Sequence, residues 1–140
     1  MPYPLYKMIN FPSFDTKNGV LCIFQPHPSK KDAVPFPIKK VLAITGMKSR
    51  DTRGGHTHHK THQVLLCLKG GCIVDLDNGK KKKSVRLNKV NQGILLYPYV
   101  WHAMRDFEPY TVLLSLADRK YNEKEYIRDY KTFLKYVRKR

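Results

Sequence analysis

The chain has 140 residues and a mass of 16.4 kDa, enough for one core of ordinary size and too little for separate cofactor and substrate lobes. Its residues are 41% hydrophobic and 11% aromatic, which excludes a disordered chain, and no apolar run reaches the roughly 20 residues that span a bilayer. Lys and Arg number 27 against 11 Asp and Glu, a formal charge of +16 that attracts polyanions or phosphorylated ligands.

The opening Met1-Pro2-Tyr3-Pro4-Leu5-Tyr6-Lys7 lacks the apolar stretch of a secretory signal, so a cytoplasmic setting is expected. Short runs rich in Val, Ile and Leu then predict strands at 20–24, 38–45, 63–68, 72–76, 84–87, 93–97 and 111–116, the pattern of an antiparallel all-β domain. Pro26, Pro28, Pro35 and Pro37 each remove a backbone donor, which predicts an extended loop after the first strand. Asp77-Asn78-Gly79 predicts a tight type I′ hairpin, since Asn-Gly readily takes positive φ. Cys22, Cys67 and Cys72 are odd in number and form no Cys-x-x-Cys pair, so reduced, mostly buried thiols are expected.

Tyr126, Ile127, Tyr130, Phe133, Leu134 and Val137 recur at helical spacing, and Asn122 with Glu125 reads as a capping box. A single domain over 1–140, closed by one C-terminal helix at about 123–137, is expected. The apolar stripe of that helix should pack on the β domain or on a partner subunit. Lys80-Lys81-Lys82-Lys83 and the tail Lys135, Arg138, Lys139, Arg140 read as a solvated hairpin tip and a solvated helix end, with no specific nucleic acid and no membrane as partner. A β domain of this length is a sandwich or a closed barrel.

Four of the six histidines fall in Arg53-Gly54-Gly55-His56-Thr57-His58-His59-Lys60-Thr61-His62-Gln63. On an extended segment His56 and His58 point the same way, while Thr57 and His59 face opposite. His102 ends a second segment, Tyr97-Pro98-Tyr99-Val100-Trp101-His102. His27, His59 and His62 are assigned structural roles.

His56-x-His58, followed by Gln63 and Gly70, and then Gly93, Pro98 and His102, resembles the two motifs of the cupin superfamily, small jelly-roll β-barrels with a site in the lumen. In metal-binding cupins a glutamate stands where this chain has Gln63, and a neutral amide is a poorer ligand for a divalent transition metal. Three imidazoles alone still suit zinc. Closer still, Thr52-Arg53-Gly54-Gly55-His56-Thr57-His58, the 63–70 segment, Val100-Trp101-His102-Ala103-Met104-Arg105-Asp106-Phe107 and Tyr126-Ile127-Arg128-Asp129-Tyr130 resemble the sugar nucleotide 3,4-ketoisomerases of the WxcM-like cupin group.

The resemblance implies a cupin jelly-roll barrel with one C-terminal α-helix, a homodimer, and isomerisation of a dTDP-linked 4-oxo-6-deoxy sugar on the route to 3-amino-3,6-dideoxy sugars of surface glycans. Departures are Lys40-Val41-Leu42-Ala43 in place of Arg-Val-Tyr-Tyr, and Ala103 in place of glutamate; they are expected to bear on the sugar bound. Moving a ketone from C4 to C3 takes a base at C3, a donor to the carbonyl oxygen and an acid at C4, and needs neither nicotinamide nor metal, so no cofactor is expected. His56 is assigned as the base and His58 as its acid partner or orienting donor. Arg53, with its planar fork, and Lys60 are expected at the diphosphate, and Gln63, Trp101 and His102 in the sugar pocket. Two rival readings stand beside this: a metal-dependent cupin enzyme using His56, His58, Gln63 and His102, and a non-catalytic module that binds sugar nucleotide.

Overall fold

The most apolar run in the chain, Val64-Leu65-Leu66-Cys67, becomes the middle of a sheet that is buried on both faces. A computed structural model describes residues 3–139. Its strands are β1 (Lys7–Asn10), β2 (Ser13–Thr16), β3 (Gly19–Cys22), β4 (Lys40–Thr45), β5 (Arg53–His58), β6 (Gln63–Lys69), β7 (Cys72–Asp77), β8 (Lys82–Leu87), β9 (Gln92–Leu96), β10 (Trp101–Arg105), β11 (Val112–Ala117) and β12 (Tyr126–Ile127). A 3-10 turn at Glu123–Glu125 precedes β12, and helix α1 (Tyr130–Arg138) follows it.

Two antiparallel five-stranded sheets, ordered β1-β9-β6-β11-β4 and β12-β5-β10-β7-β8, face each other as a jelly roll, and β2 and β3 form a separate ribbon. Between the sheets lie Leu65, Cys67, Cys72, Val74, Leu76, Ile94, Leu96, Met104 and Leu113, all buried. Alternate residues of the first sheet point outward instead. Val64, Leu66, Leu95 and Leu116 meet Ile9, Phe11 and Val34, so the proline-rich segment packs as a cover over that outer face. Across the second sheet, α1 places Phe133, fully buried, against Trp101. Cys22, Cys67 and Cys72 are free thiols, and burial pushes Cys67 up to about 11 and Cys72 to about 12.

Three local expectations change. The helix begins at Tyr130 rather than near residue 123, because Asp129 accepts from the Thr132 N–H and caps it there, while Asn122 caps only the 3-10 turn. Tyr126 and Ile127 are thereby freed to pair with His58 and Thr57 of β5. The β7–β8 hairpin forms, but Asp77 pairs with Lys82 across a four-residue loop. There Asn78 stays at negative φ and its Oδ1 accepts from the Lys80 and Lys81 N–H groups, while Gly79 alone takes φ +89°. Finally, β1, β2, β5, β10 and β12 arise from segments that carry too few consecutive apolar residues to signal a strand.

Candidate active site

Register assembles the histidines. On β5 and β10, His56 stands opposite His102, and on β5 and β12, His58 stands opposite Tyr126, so all four rings share the inner face of one sheet. The β5–β10 ladder shifts between His102 and Ala103, which faces Gly54, leaving Gly55 as the extra residue of a bulge. Gly54 and Gly55 sit at φ +80° and +74°, and a Cβ on Gly54 would lie 2.9 Å from the His102 carbonyl oxygen. Only glycine lets the two strands close here. The ring centroids of His56 lie 5.0 Å from His58 and 4.7 Å from His102, and Tyr126 stands 4.5 Å from His58 and 5.0 Å from His56.

Gln63, on the inner face of β6, links the opposite sheet to this cluster. Its Oε1 accepts from Ser115 Oγ at 2.8 Å, which turns the amide NH2 toward His58 Nδ1 (3.4 Å) and His102 Nε2 (3.3 Å). His102 Nδ1 in turn donates to the Val100 carbonyl at 3.2 Å. This network sets the tautomers: His102 carries its proton on Nδ1, and His58, accepting at Nδ1, carries its own on Nε2. His56 is different, because its buried Nδ1 has no hydrogen-bond partner among the described residues.

All three imidazoles are held neutral far below the usual histidine range. Burial lowers His56 to about 4, helped by the nearby charges of Arg128 and Lys40. Burial together with the other two rings takes His58 to about 2 and, with His56, His102 to about 3. One nitrogen of each ring lies within 4.8 Å of the others, a spacing that also suits a divalent cation. Gln63 turns its N–H groups rather than its oxygen toward this cluster, so the amide adds no fourth ligand to the three imidazoles.

Cations collect around the same rings. Arg128 packs its guanidinium 4.4 Å from the Tyr126 ring centre and pairs with Glu123 at 2.9 Å, and Lys40 Nζ stands over the Tyr121 and Tyr126 rings. Sequence reasoning missed Lys40, Tyr126 and Arg128 as site residues. Tyr126 and Arg128 were within reach of it, since both lie in the quoted 126–130 motif; the helical spacing of that stretch drew them into the wrong element.

Of the expected residues, the fold brings together His56, His58, Gln63 and His102. It does not bring Trp101, Arg53 or Lys60 into the cluster. Trp101 lies on the opposite face of β10 from His102, packed against Tyr130 and Phe133 of α1 and away from the histidine cluster. Ala103 shares that outer face, which removes it from the lumen as well. Arg53 is exposed at the start of β5 in a groove with Thr45, Gly46, Met47, Asp51 and Thr52. Lys60 is exposed on the β5–β6 turn, its N–H donating to Glu125. Leu42 faces Ser115 across β11, and Ala43 points outward, so only one of the two departures on β4 concerns the lumen. Outside the cluster, His62 pairs with Asp118 at 3.3 Å, His59 with the Tyr99 hydroxyl at 3.0 Å, and His27 accepts from the Ser29 and Lys30 N–H groups.

Comparison with known proteins identifies the family. Residues 5–138 match the family model described as FdtA: WxcM-like, C-terminal. A TDP-4-oxo-6-deoxy-alpha-D-glucose-3,4-oxoisomerase of Aneurinibacillus thermoaerophilus is 38% identical over 133 residues, 95% of this chain and 93% of the relative. Among solved structures, a histidine-to-asparagine variant of the 3,4-ketoisomerase QdtA from Thermoanaerobacterium thermosaccharolyticum, in complex with TDP-4-keto-6-deoxyglucose, is 36% identical with a TM-score of 0.91, covering 100% of this chain and 98% of its own. A 3,4-ketoisomerase from Helicobacter canadensis, 37% identical, has a TM-score of 0.88 over 95% of this chain and 97% of its own. The chain therefore belongs to the FdtA, WxcM-like family.

Proposed function

We propose that this protein is a sugar nucleotide 3,4-ketoisomerase that converts dTDP-4-oxo-6-deoxyglucose to a dTDP-3-oxo-6-deoxyhexose without a cofactor. The carrying observation is that, of three clustered, neutral imidazoles, His102 has both nitrogens hydrogen-bonded, whereas His56 and His58 each keep a nitrogen without a partner among the described residues, at the place where Arg128 and Lys40 collect. The names of the relatives support the reaction class.

In this reading His56 takes the proton from C3. The C3–H electron pair becomes the C3–C4 double bond, and the C4 carbonyl becomes an enolate oxygen. His58, whose proton is set on Nε2 by Gln63, donates to that oxygen and stabilises the charge as it develops. Return of electrons from O3 makes the new C3 carbonyl, the O3 proton passes to O4, which becomes the C4 hydroxyl, and C4 takes its proton from the conjugate acid of His56. Substrate and product are isomers, so nothing is oxidised or reduced overall. Gln63 and His102 orient the pair. Arg128 and Lys40 meet the diphosphate more directly than Arg53 or Lys60, and an anion there would cancel the charges that depress His56, raising its basicity once substrate is bound.

The enzyme is a homodimer in this proposal. Phe14, Val20, Leu21 and Val41 are each more than half exposed, on the β2–β3 ribbon and the edge strand β4, an apolar surface that a second copy would cover. It works in the cytoplasm, in keeping with the three free thiols. No helix among the described residues is long and apolar enough to cross a membrane. The test is incubation of the purified protein, in chelator, with dTDP-4-oxo-6-deoxyglucose labelled with 13C in the sugar. Movement of the carbonyl resonance from C4 to C3 is expected; turnover only after a divalent metal is added would overturn the proposal.

A further inference from the structure

Two lysine-rich runs that lie far apart in the sequence become neighbours in the fold. The β7–β8 turn abuts α1 along its length: the Tyr130 hydroxyl donates to Asp77 Oδ2, and Gly79 packs so tightly on Val137 that a Cβ there would stand 2.5 Å from its methyl group. Lys80, Lys81, Lys82 and Lys83 are thereby set beside Lys131, Lys135, Arg138 and Lys139, all exposed. The acids within this face are committed. Asp77 accepts from Gly79 N–H and Tyr130 and reaches Lys82 at 4.0 Å, Asp75 on the same face accepts from Arg105 and Ser84, and Asp129 caps α1 through Thr132. None of the other seven cations makes an ion pair among the described residues. The hairpin tip and the helix end thus form one concentrated field of charge, most of it on the side of the sheet away from the histidines; Lys83 alone, level with the inward-facing Leu76, starts from the inner side.

The chemistry of this face selects a partner. Seven of its eight cations are lysines, hydrated point charges on flexible stems, whereas recognition of nucleic acid draws on guanidinium forks and stacking rings. Most rings and apolar side chains of α1 are already used: Phe133 and Tyr130 pack on Trp101, and Val137 on Gly79. Tyr136, edge-on to His59, is the one ring of α1 left exposed, too little to stack a run of bases or to anchor among lipid tails. A dense, unneutralised lysine field without reading groups suits a plane of diffuse negative charge. We propose that the face formed by the β7–β8 turn and α1 docks the protein on the surface of an anionic lipid bilayer, by electrostatic adsorption without insertion. Because the histidines lie on the inner side of the same sheet, docking leaves the site free to turn over.

The test is co-sedimentation of the whole protein with vesicles of phosphatidylglycerol and phosphatidylcholine, beside vesicles of phosphatidylcholine alone. Binding to the anionic vesicles at low salt, release by 0.5 M salt and no binding to neutral vesicles are expected. Each lysine near the surface contributes about fivefold in partitioning, so a variant carrying K80E, K81E, K135E and K139E should lose more than about 10²-fold while its melting temperature and turnover stay unchanged. Equal binding to neutral vesicles, undiminished binding by the variant, or tighter binding to a DNA duplex than to vesicles of matched charge would each overturn the proposal.

Discussion

Six histidines divide into two sets of three, and neighbours in sequence fall on opposite sides of the division. His56, His58 and His102 share one lumenal face, neutral and far below the usual histidine range. His27, His59 and His62 are tied singly to a loop turn, a tyrosine hydroxyl and a carboxylate on the outside. His58 and His59 are adjacent residues, yet only one reaches the site, because successive side chains of a strand point to opposite faces. Histidine density therefore says where to look, and strand register says which rings share the lumen.

Removing the ring assigned as the base should do the most to separate the sets. His56→Asn should lower kcat by about 10² to 10⁴-fold with substrate binding largely kept, measured by steady-state kinetics beside titration with the nucleotide diphosphate. Comparable activity in that variant would dissolve the distinction between the two sets.

Acid should expose the same division through stability. The lumenal histidines have folded values near or below 4 and an unfolded value near 6.5, so the unfolded chain binds more protons between those limits. Stability is full above pH 6.5 and falls as the pH drops toward 4, by up to about 1.4 kcal/mol per pH unit for each ring. Urea midpoints between pH 7.5 and 5 should fall accordingly, and His102→Gln should flatten the slope. A flat profile would contradict the neutral cluster. The acid limb of kcat/KM should likewise lie well below 6.5, whereas the limb of kcat moves up as bound diphosphate offsets Arg128 and Lys40.

Smaller effects sharpen the roles within the lumen and outside it. Gln63→Leu takes the donor from His58 Nδ1 and His102 Nε2. A loss of roughly tenfold in kcat is expected, with KM little changed, and a shifted pH profile would mark a change of tautomer rather than of packing. His62→Gln, which loses the half-buried pair with Asp118 and the edge contacts with Tyr3 and Tyr97, should alter stability by about 1 kcal/mol or less and leave turnover unchanged.

What the amino-acid order reveals follows physical range. Strands β6, β7, β9 and β11 were readable because their inner faces, and for β6 and β9 their outer faces too, demand continuous Val, Ile and Leu. The His56 and His58 pair was readable from the period of two. His102 reached the cluster only through family resemblance, since cross-strand register depends on a bulge at Gly54 and Gly55 that no local pattern announces. Trp101 was misplaced for the same reason: one residue from His102 means the other face of β10. Tyr126 and Arg128 were hidden by a capping box at Asn122 whose signal was real but closed only one turn, leaving Asp129 to start the helix. The pairing of Lys80–Lys83 with the C-terminal cations needed the tertiary packing of Val137 on Gly79.

The central claim is that His56 carries the hydrogen between neighbouring sugar carbons while His58 holds the oxygen. Turnover of dTDP-4-oxo-6-deoxyglucose in D₂O, followed by proton NMR at C3 and C4, tests this directly. Wild-type protein should place deuterium at C4 of the product, His58→Asn should keep slow exchange at C3, and His56→Asn should abolish exchange altogether; wild-type exchange in the His56→Asn variant would contradict the account.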